Sequence, residues 1–145
     1  MDRIVVGVDD STGARLALRW AVDEARQRGA GLVVVHCYEV TYGWIDDPAE
    51  VEGWQKRAAA DARQSVDQLL SEMAPDPELK VETVVVDRDS AAGLIEAAAG
   101  ADLLVVGSRG RGGFAGMVLG SVSLQCALHA PCPVVVVHPK TGGAL

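Results

Sequence analysis

With 145 residues and a formal net charge of −7, the chain is long enough for one domain with a sizeable core, and its acidity argues against nucleic acid and anionic membranes as main partners. Hydrophobic residues make up 49% of the chain but aromatics only 4%, a balance suited to helices packed closely on a parallel sheet; no apolar run approaches the length of a membrane helix. Cys37, Cys126 and Cys132 form no C-x-x-C pair and read as reduced thiols filling a core, not as a metal or redox centre.

The first residues run straight into a strand with no visible export signal, so a cytoplasmic protein is expected. Arg3 to Val8 reads as a buried strand. Asp10 or Ser11 can cap a helix from about residue 12 to Arg28, with Arg15, Arg19, Asp23 and Arg26 on its polar line and Leu18, Ala21, Val22 and Ala25 opposite. Gly29 and Gly31 stop it. Leu32 to Tyr38 is a second buried strand, in which His36 reads as a satisfied core histidine. A looser segment, Glu39 to Asp47, follows, with Tyr42 and Trp44 expected to pack beneath their own loop.

Pro48 can open a long helix whose apolar stripe runs Val51, Trp54, Ala58, Ala62, Val66, Leu69, Leu70, Met73, which predicts that Trp54, like Trp20 on the first helix, lies in the core. Pro75 and Pro77 end it. Val81 to Val86 is the third strand, ending at Asp87, and Asp89 or Ser90 caps a short Ala-rich helix through Ala99. The fourth strand is Leu103 to Gly107. A glycine-rich loop leads to a helix from Ser121 to Ala130, Pro131 and Pro133 frame a turn, and Val134 to His138 is the fifth strand. Residues 1–139 form the domain, and residues 140–145 read as a disordered tail.

Strands and helices alternate throughout. Solid valine strands without polar alternation require burial on both faces, so the fold class is α/β, a single open five-stranded parallel sheet with helices on each side and right-handed crossovers. No internal repeat is visible.

The loop between strand four and the last helix carries the chemistry. Glycines let a backbone approach an anion, and the helix start offers free N–H groups at the positive end of its dipole. Ser121 and Ser123 can add hydroxyl donors, and Arg109 and Arg111 add positive charge. A P-loop is excluded because no lysine lies in the segment, and a dinucleotide fingerprint is excluded because the first strand ends in Gly7-Val8-Asp9 without a glycine cluster. What stands here is Gly107-x2-Gly110-x9-Gly120-Ser121.

That spacing resembles the nucleotide-binding motif of the universal stress protein family, in its ATP-binding branch. The element order, the long second helix and the Pro-x-Pro-Val-Val-Val-Val ending are similar as well, so the resemblance covers nearly the whole chain. It implies a Rossmann-like sheet, of the adenine nucleotide alpha hydrolase type, in the order 3-2-1-4-5. Its switch point would lie between strands one and four, where ligands of open α/β sheets bind. It also implies a cofactor: ATP, with ADP or AMP as alternatives, and Mg²⁺ or Mn²⁺ held through the phosphates.

Mapped onto this chain, the resemblance places Gly7 and Val8 near the base by backbone, and the backbone of Cys37 against adenine. Asp9 lies near the ribose or metal, with helix capping as its alternative role. Val106, Gly107 and Gly110 contact ribose and phosphate by backbone, Gly120, Ser121, Val122 and Ser123 cradle the outer phosphates, and Arg109 is a candidate phosphate partner. Where many members carry Gly-x-Pro after strand three, this chain has Asp87-Arg88-Asp89-Ser90-Ala91, which leaves the adenine contacts less defined than the phosphate contacts.

The family pairs strand five with its copy, which implies a homodimer through Val134–Val137. The function implied is a dimeric regulatory, stress-response protein with slow or no hydrolysis, since the sequence offers no clear general base and no catalytic residue. The alternatives are a true ATPase or nucleotidyl-transfer enzyme of the same fold, using Asp9 and a metal; a phospho-receiver, disfavoured by the long spacing from Asp9 to Asp87; and a nucleotide-free interaction protein, disfavoured by the glycine motif.

Overall fold

The computed structural model describes residues 2–9, 11–73, 75–108 and 119–139. Among these residues nine elements follow in chain order: β1 (Arg3–Gly7), α1 (Thr12–Arg28), β2 (Gly31–Tyr38), α2 (Pro48–Met73), β3 (Val81–Asp87), α3 (Ser90–Ala97), β4 (Leu103–Gly107), α4 (Ser121–His129) and β5 (Val134–Val137). The five strands form one sheet in the order β3-β2-β1-β4-β5, with every pairing parallel, the arrangement expected from the resemblance.

Side chains alternate across a strand, so each valine strand feeds two cores. Ile4, Val6, Leu32, Val34 and Val105 pack with Leu18, Ala21, Val66 and Leu69 under α1 and α2. Val5, Val33, Val35, Leu104 and Val106 pack with Leu94, Ala98 and Cys126 under α3 and α4. This double burial is why the strands read as unbroken apolar runs.

The caps fall where short polar residues and glycine direct them. Ser11 is the N-cap of α1, its hydroxyl accepting from the Ala14 N–H, and Gly29 closes the helix in the left-handed region at φ 66°. Asp89 caps α3 through its carboxylate. At the opposite end of the sheet, Asp102 accepts the N–H groups of Asp2 and Arg3, which hold its carboxyl below the usual carboxylate range.

Several boundaries are shorter than periodicity suggests: β1 ends at Gly7, α3 at Ala97, α4 at His129 and β5 at Val137. Trp54 is the substantive correction. It is 38% exposed and lies edge-on to Trp44, ring centroids 5.8 Å apart, with the Arg57 guanidinium over its ring. A helix of 26 residues rises about 39 Å, whereas the eight-residue β2 spans about 26 Å, so α2 overhangs the sheet. Only Ala62, Val66 and Leu69 of its stripe are fully seated, all in its C-terminal half. Trp44 is likewise not tucked beneath its loop but 67% exposed, while Ile45 beside it is buried. Trp20 packs against the α1/α2 core as expected. The expected tail, residues 140–145, and the candidate cap Asp10 lie outside the described residues.

Candidate functional site

Neighbouring strands β1 and β4 send their chains to opposite faces, β1 into α1 and β4 toward α4, which opens a crevice at their C-terminal ends. Gly7, Val8 and Asp9 form one side of it, and Gly107 and Ser108 the other. The side chains of Val8 and Val106 are buried in the two cores, so at the crevice these residues have only backbone to offer.

Gly107 has a packing reason to be glycine. A Cβ there would stand 2.8 Å from the Gly13 carbonyl oxygen in the first turn of α1, a contact with rigid backbone. At Gly7 the nearest neighbours of the corresponding Cβ are the two methyl groups and Cγ of Leu94, all side-chain atoms.

A latch joins the two ends of the segment between β4 and α4. The Ser108 carbonyl accepts the Gly120 N–H at 2.6 Å and the Ser123 hydroxyl at 2.8 Å; Ser123 Oγ also lies 3.0 Å from the Gly120 carbonyl. Ser123 is 2% exposed, so its single hydroxyl proton is engaged inside the protein. Ser121, two residues earlier, is exposed at the start of α4. Gly120 is the N-cap and provides no side-chain cap, which leaves first-turn amides such as those of Ser121 and Val122 without a side-chain acceptor. Arg109, Gly110 and Arg111 lie outside the described residues.

Asp9 accepts the Ser11 N–H through Oδ1 at 2.8 Å, a bond that turns the chain into α1, and its Oδ2 has no partner among the described residues. Asp9 thus supports the start of α1 while Ser11 is the cap. His36 Nδ1 lies 2.9 Å from the Val8 carbonyl, and its ring stacks on Tyr38, the satisfied state expected of it.

Cys37, half-buried on β2, has its thiol pushed up to about 11 by burial and by the negative charge of Asp89, partly opposed by Arg88. A neutral thiol of that kind is a poor nucleophile, which leaves the backbone of residue 37 as its useful group. The Asp87-Arg88-Asp89 turn is closed by the Arg88 N–H on the Tyr38 carbonyl, the Asp89 cap and an Arg88–Glu96 ion pair. Beside this turn, burial and the Asp87 charge push the phenols of Tyr38 and Tyr42 upward.

Sequence reasoning missed the Ser108–Ser123 latch and a second cluster of polar residues on the α1/α2 face, Arg15, Ser65, Gln68 and Glu72. The latch has a faint signal, a serine three residues after a helix-capping glycine. The cluster has none, because its members lie on two helices brought together only by packing.

A sequence model described as the Universal stress protein family matches residues 1–138. A universal stress protein of Mycolicibacterium smegmatis is 37% identical over 140 residues, which cover 94% of this chain and 46% of that protein. The chain thus spans about half the length of this relative. Among solved structures, a universal stress protein in complex with cAMP is similar at 25% identity and a TM-score of 0.67, with 96% of this chain and 98% of that one covered. The universal stress protein of Archaeoglobus fulgidus in complex with dAMP is similar at 25% identity and a TM-score of 0.62, with 94% and 97% covered.

Proposed function

The chain belongs to the universal stress protein family, and from that premise we propose that it is a cytoplasmic, dimeric regulatory protein that binds an adenine nucleotide, ATP above all, in the crevice between β1 and β4. The observation that carries this reading is the latch on the Ser108 carbonyl, which seats the uncapped start of α4 beside Gly107. Phosphates bind where backbone donors and a helix dipole converge. Gly110, Ser121 and Val122 supply those donors, Gly120 and Ser123 hold the turn that presents them through their bonds to the Ser108 carbonyl, and Arg109 pairs a phosphate oxygen.

The base lies toward the backbone of Gly7, Val8 and Cys37, and the ribose between Asp9 and the backbone of Val106 and Gly107. Two solved relatives in complex with cAMP and dAMP support the adenine class. The free Oδ2 of Asp9 suits a ribose hydroxyl or a Mg²⁺ or Mn²⁺ ion held chiefly by the phosphates. Such an ion offsets phosphate charge in an acidic protein. Among the described residues no group of three His, Cys, Asp or Glu is placed to hold a metal by itself. Nucleotide binding is therefore read as a state signal, with slow hydrolysis or none.

The dimer rests on β5. It is an edge strand of four half-buried valines, and Leu124 and Leu128 of the adjoining α4 are 44% and 65% exposed. A second copy that pairs with this edge would cover both.

Denaturing the purified protein and running the supernatant on anion exchange tests the nucleotide reading, with ATP titration calorimetry alongside. Adenine nucleotide in the supernatant, or saturable ATP binding, is expected. Neither, in the presence and absence of Mg²⁺, overturns it.

A further inference from the structure

A cavity of about 280 Å³ opens between α1, α2 and the C-terminal ends of β1 and β2. It lies on the α1/α2 face of the sheet, away from α4. Val8, Val66 and Leu69 give it an apolar floor. Asp9, His36, Ser65 and Gln68 border it, and the Arg15–Glu72 ion pair crosses from α1 to α2 at its wall.

His36 and Ser65 have each placed a proton on a carbonyl inside the protein. A carbonyl oxygen only accepts, so His36 Nδ1, 2.9 Å from the Val8 carbonyl, carries a ring proton, and in the neutral ring Nε2 presents a lone pair. Ser65 donates its hydroxyl to the Asp61 carbonyl at 3.1 Å, which leaves its oxygen as an acceptor. Asp9 is acceptor-only, with Oδ1 on the Ser11 N–H and Oδ2 without a partner among the described residues. Arg15 is the cation at the wall, and it is engaged by Glu72. Gln68 can donate as well as accept, but Asp9, His36 and Ser65 offer acceptors, and the lining holds two carboxylates, Asp9 and Glu72, against the single cation Arg15.

The occupant that matches is a cation rich in N–H donors. A metal ion is disfavoured because no three His, Cys, Asp or Glu side chains among the described residues are grouped for one. The apolar floor favours a short alkyl body, and the volume suits a ligand of few heavy atoms.

We propose that this cavity binds a small aliphatic amine, its ammonium group donating to Asp9 Oδ2 and His36 Nε2 and its alkyl chain lying over Val66 and Leu69. The site lies on the other face from α4 and shares with the nucleotide reading Asp9 and Val8, the latter by side chain here and by backbone there.

The test uses the full chain without nucleotide at fixed ionic strength, titrated with 1,4-diaminobutane by calorimetry and by side-chain ¹⁵N spectra of the histidines. One diamine per chain is expected, with 1,4-butanediol at least about tenfold weaker, butyrate not binding, and the Nε2 resonance of His36 shifting on titration. Asp9→Asn keeps the turn into α1 and should weaken the diamine about tenfold or more. Ser65→Ala, an exposed helix position where alanine is well tolerated, should weaken it about threefold and leave ATP affinity unchanged. No saturable diamine binding, equal binding of butyrate, a silent His36 resonance, or undiminished affinity in both variants overturns the proposal. Titration of ATP into the same samples keeps the two readings separate, since loss of one ligand has no bearing on the other in the Ser65 variant.

Discussion

Ser121 and Ser123 are two residues apart, yet one is exposed and the other buried in the latch, and a pair of alanine variants separates the roles proposed for them. Ser123 is 2% exposed and bonds the Ser108 carbonyl at 2.8 Å. Removing its hydroxyl leaves that carbonyl still bonded to the Gly120 N–H, so no buried acceptor is orphaned. The loss is then one ordinary hydrogen bond, about 1 kcal/mol, partly offset by roughly 0.5 kcal/mol of helix propensity gained by alanine. A net cost near 0.5–1 kcal/mol corresponds to a fall in Tm of about 2–3 °C for a domain of this size.

Ser121 is exposed and makes no bond within the described residues. Ser121→Ala should leave stability within about 0.5 kcal/mol but weaken ATP about fivefold, the value of one lost hydroxyl–phosphate bond. Urea denaturation and ATP calorimetry on both variants make the comparison. If Ser123→Ala is as stable as the parent while Ser121→Ala unfolds early, or if Ser121→Ala binds ATP undiminished, the division of labour between latch and donor is refuted.

Gly107→Ala should cost about 1–3 kcal/mol by overpacking, because its Cβ meets the Gly13 backbone, whereas Gly7→Ala should be milder, since Leu94 can rotate away; urea midpoints decide between them. The thiols of Cys37 and Cys126 are both pushed up to about 11 from an ordinary 9.0, chiefly by burial. Their raised values stabilise the fold fully below pH 9, and that contribution is lost as pH rises toward 11, so Tm should fall across that window in the parent and less steeply in a Cys37→Ser/Cys126→Ser double variant. A parallel slope in both proteins would contradict it.

For the dimer, the Leu104 N–H donates to the Pro133 carbonyl and the Ser108 N–H to the Val137 carbonyl, so the Val135 N–H faces β4 and the Val136 N–H faces outward. Val136→Pro removes an outward donor at an edge strand, where proline is tolerated, and should shift the mass from dimer to monomer by light scattering. A parent protein that is already monomeric at micromolar concentration refutes the edge-pairing dimer.

The element order was readable because both periodicities are clean: valine runs where two helical layers cover a strand, and 3.6-residue stripes such as Leu18, Ala21 and Ala25 on α1. The candidate site was singled out where backbone chemistry dictates residue type. A glycine-rich turn between β4 and a helix start is recognisable without coordinates, because few other residues allow so close a backbone approach to an anion. Trp54 was misplaced because helical spacing reports which face is apolar, not how far along the helix the sheet extends.

The sequence by itself therefore determined the class of sheet, narrowed the first turns of α1 and α3 to two capping candidates each, and singled out the candidate stretch for an anion, all properties of neighbours within a few residues. Only the tertiary structure decided where the protons sit and which charges are paired. Whether Ser123 donates outward or to Ser108 depends on a carbonyl 15 residues away. Whether Arg15 is a solvated helix charge or the partner of Glu72 depends on a contact across 57 residues. Hydrogen-bond donors are directional and few, so their assignment waits on which acceptors the packed layers bring within 3 Å or so.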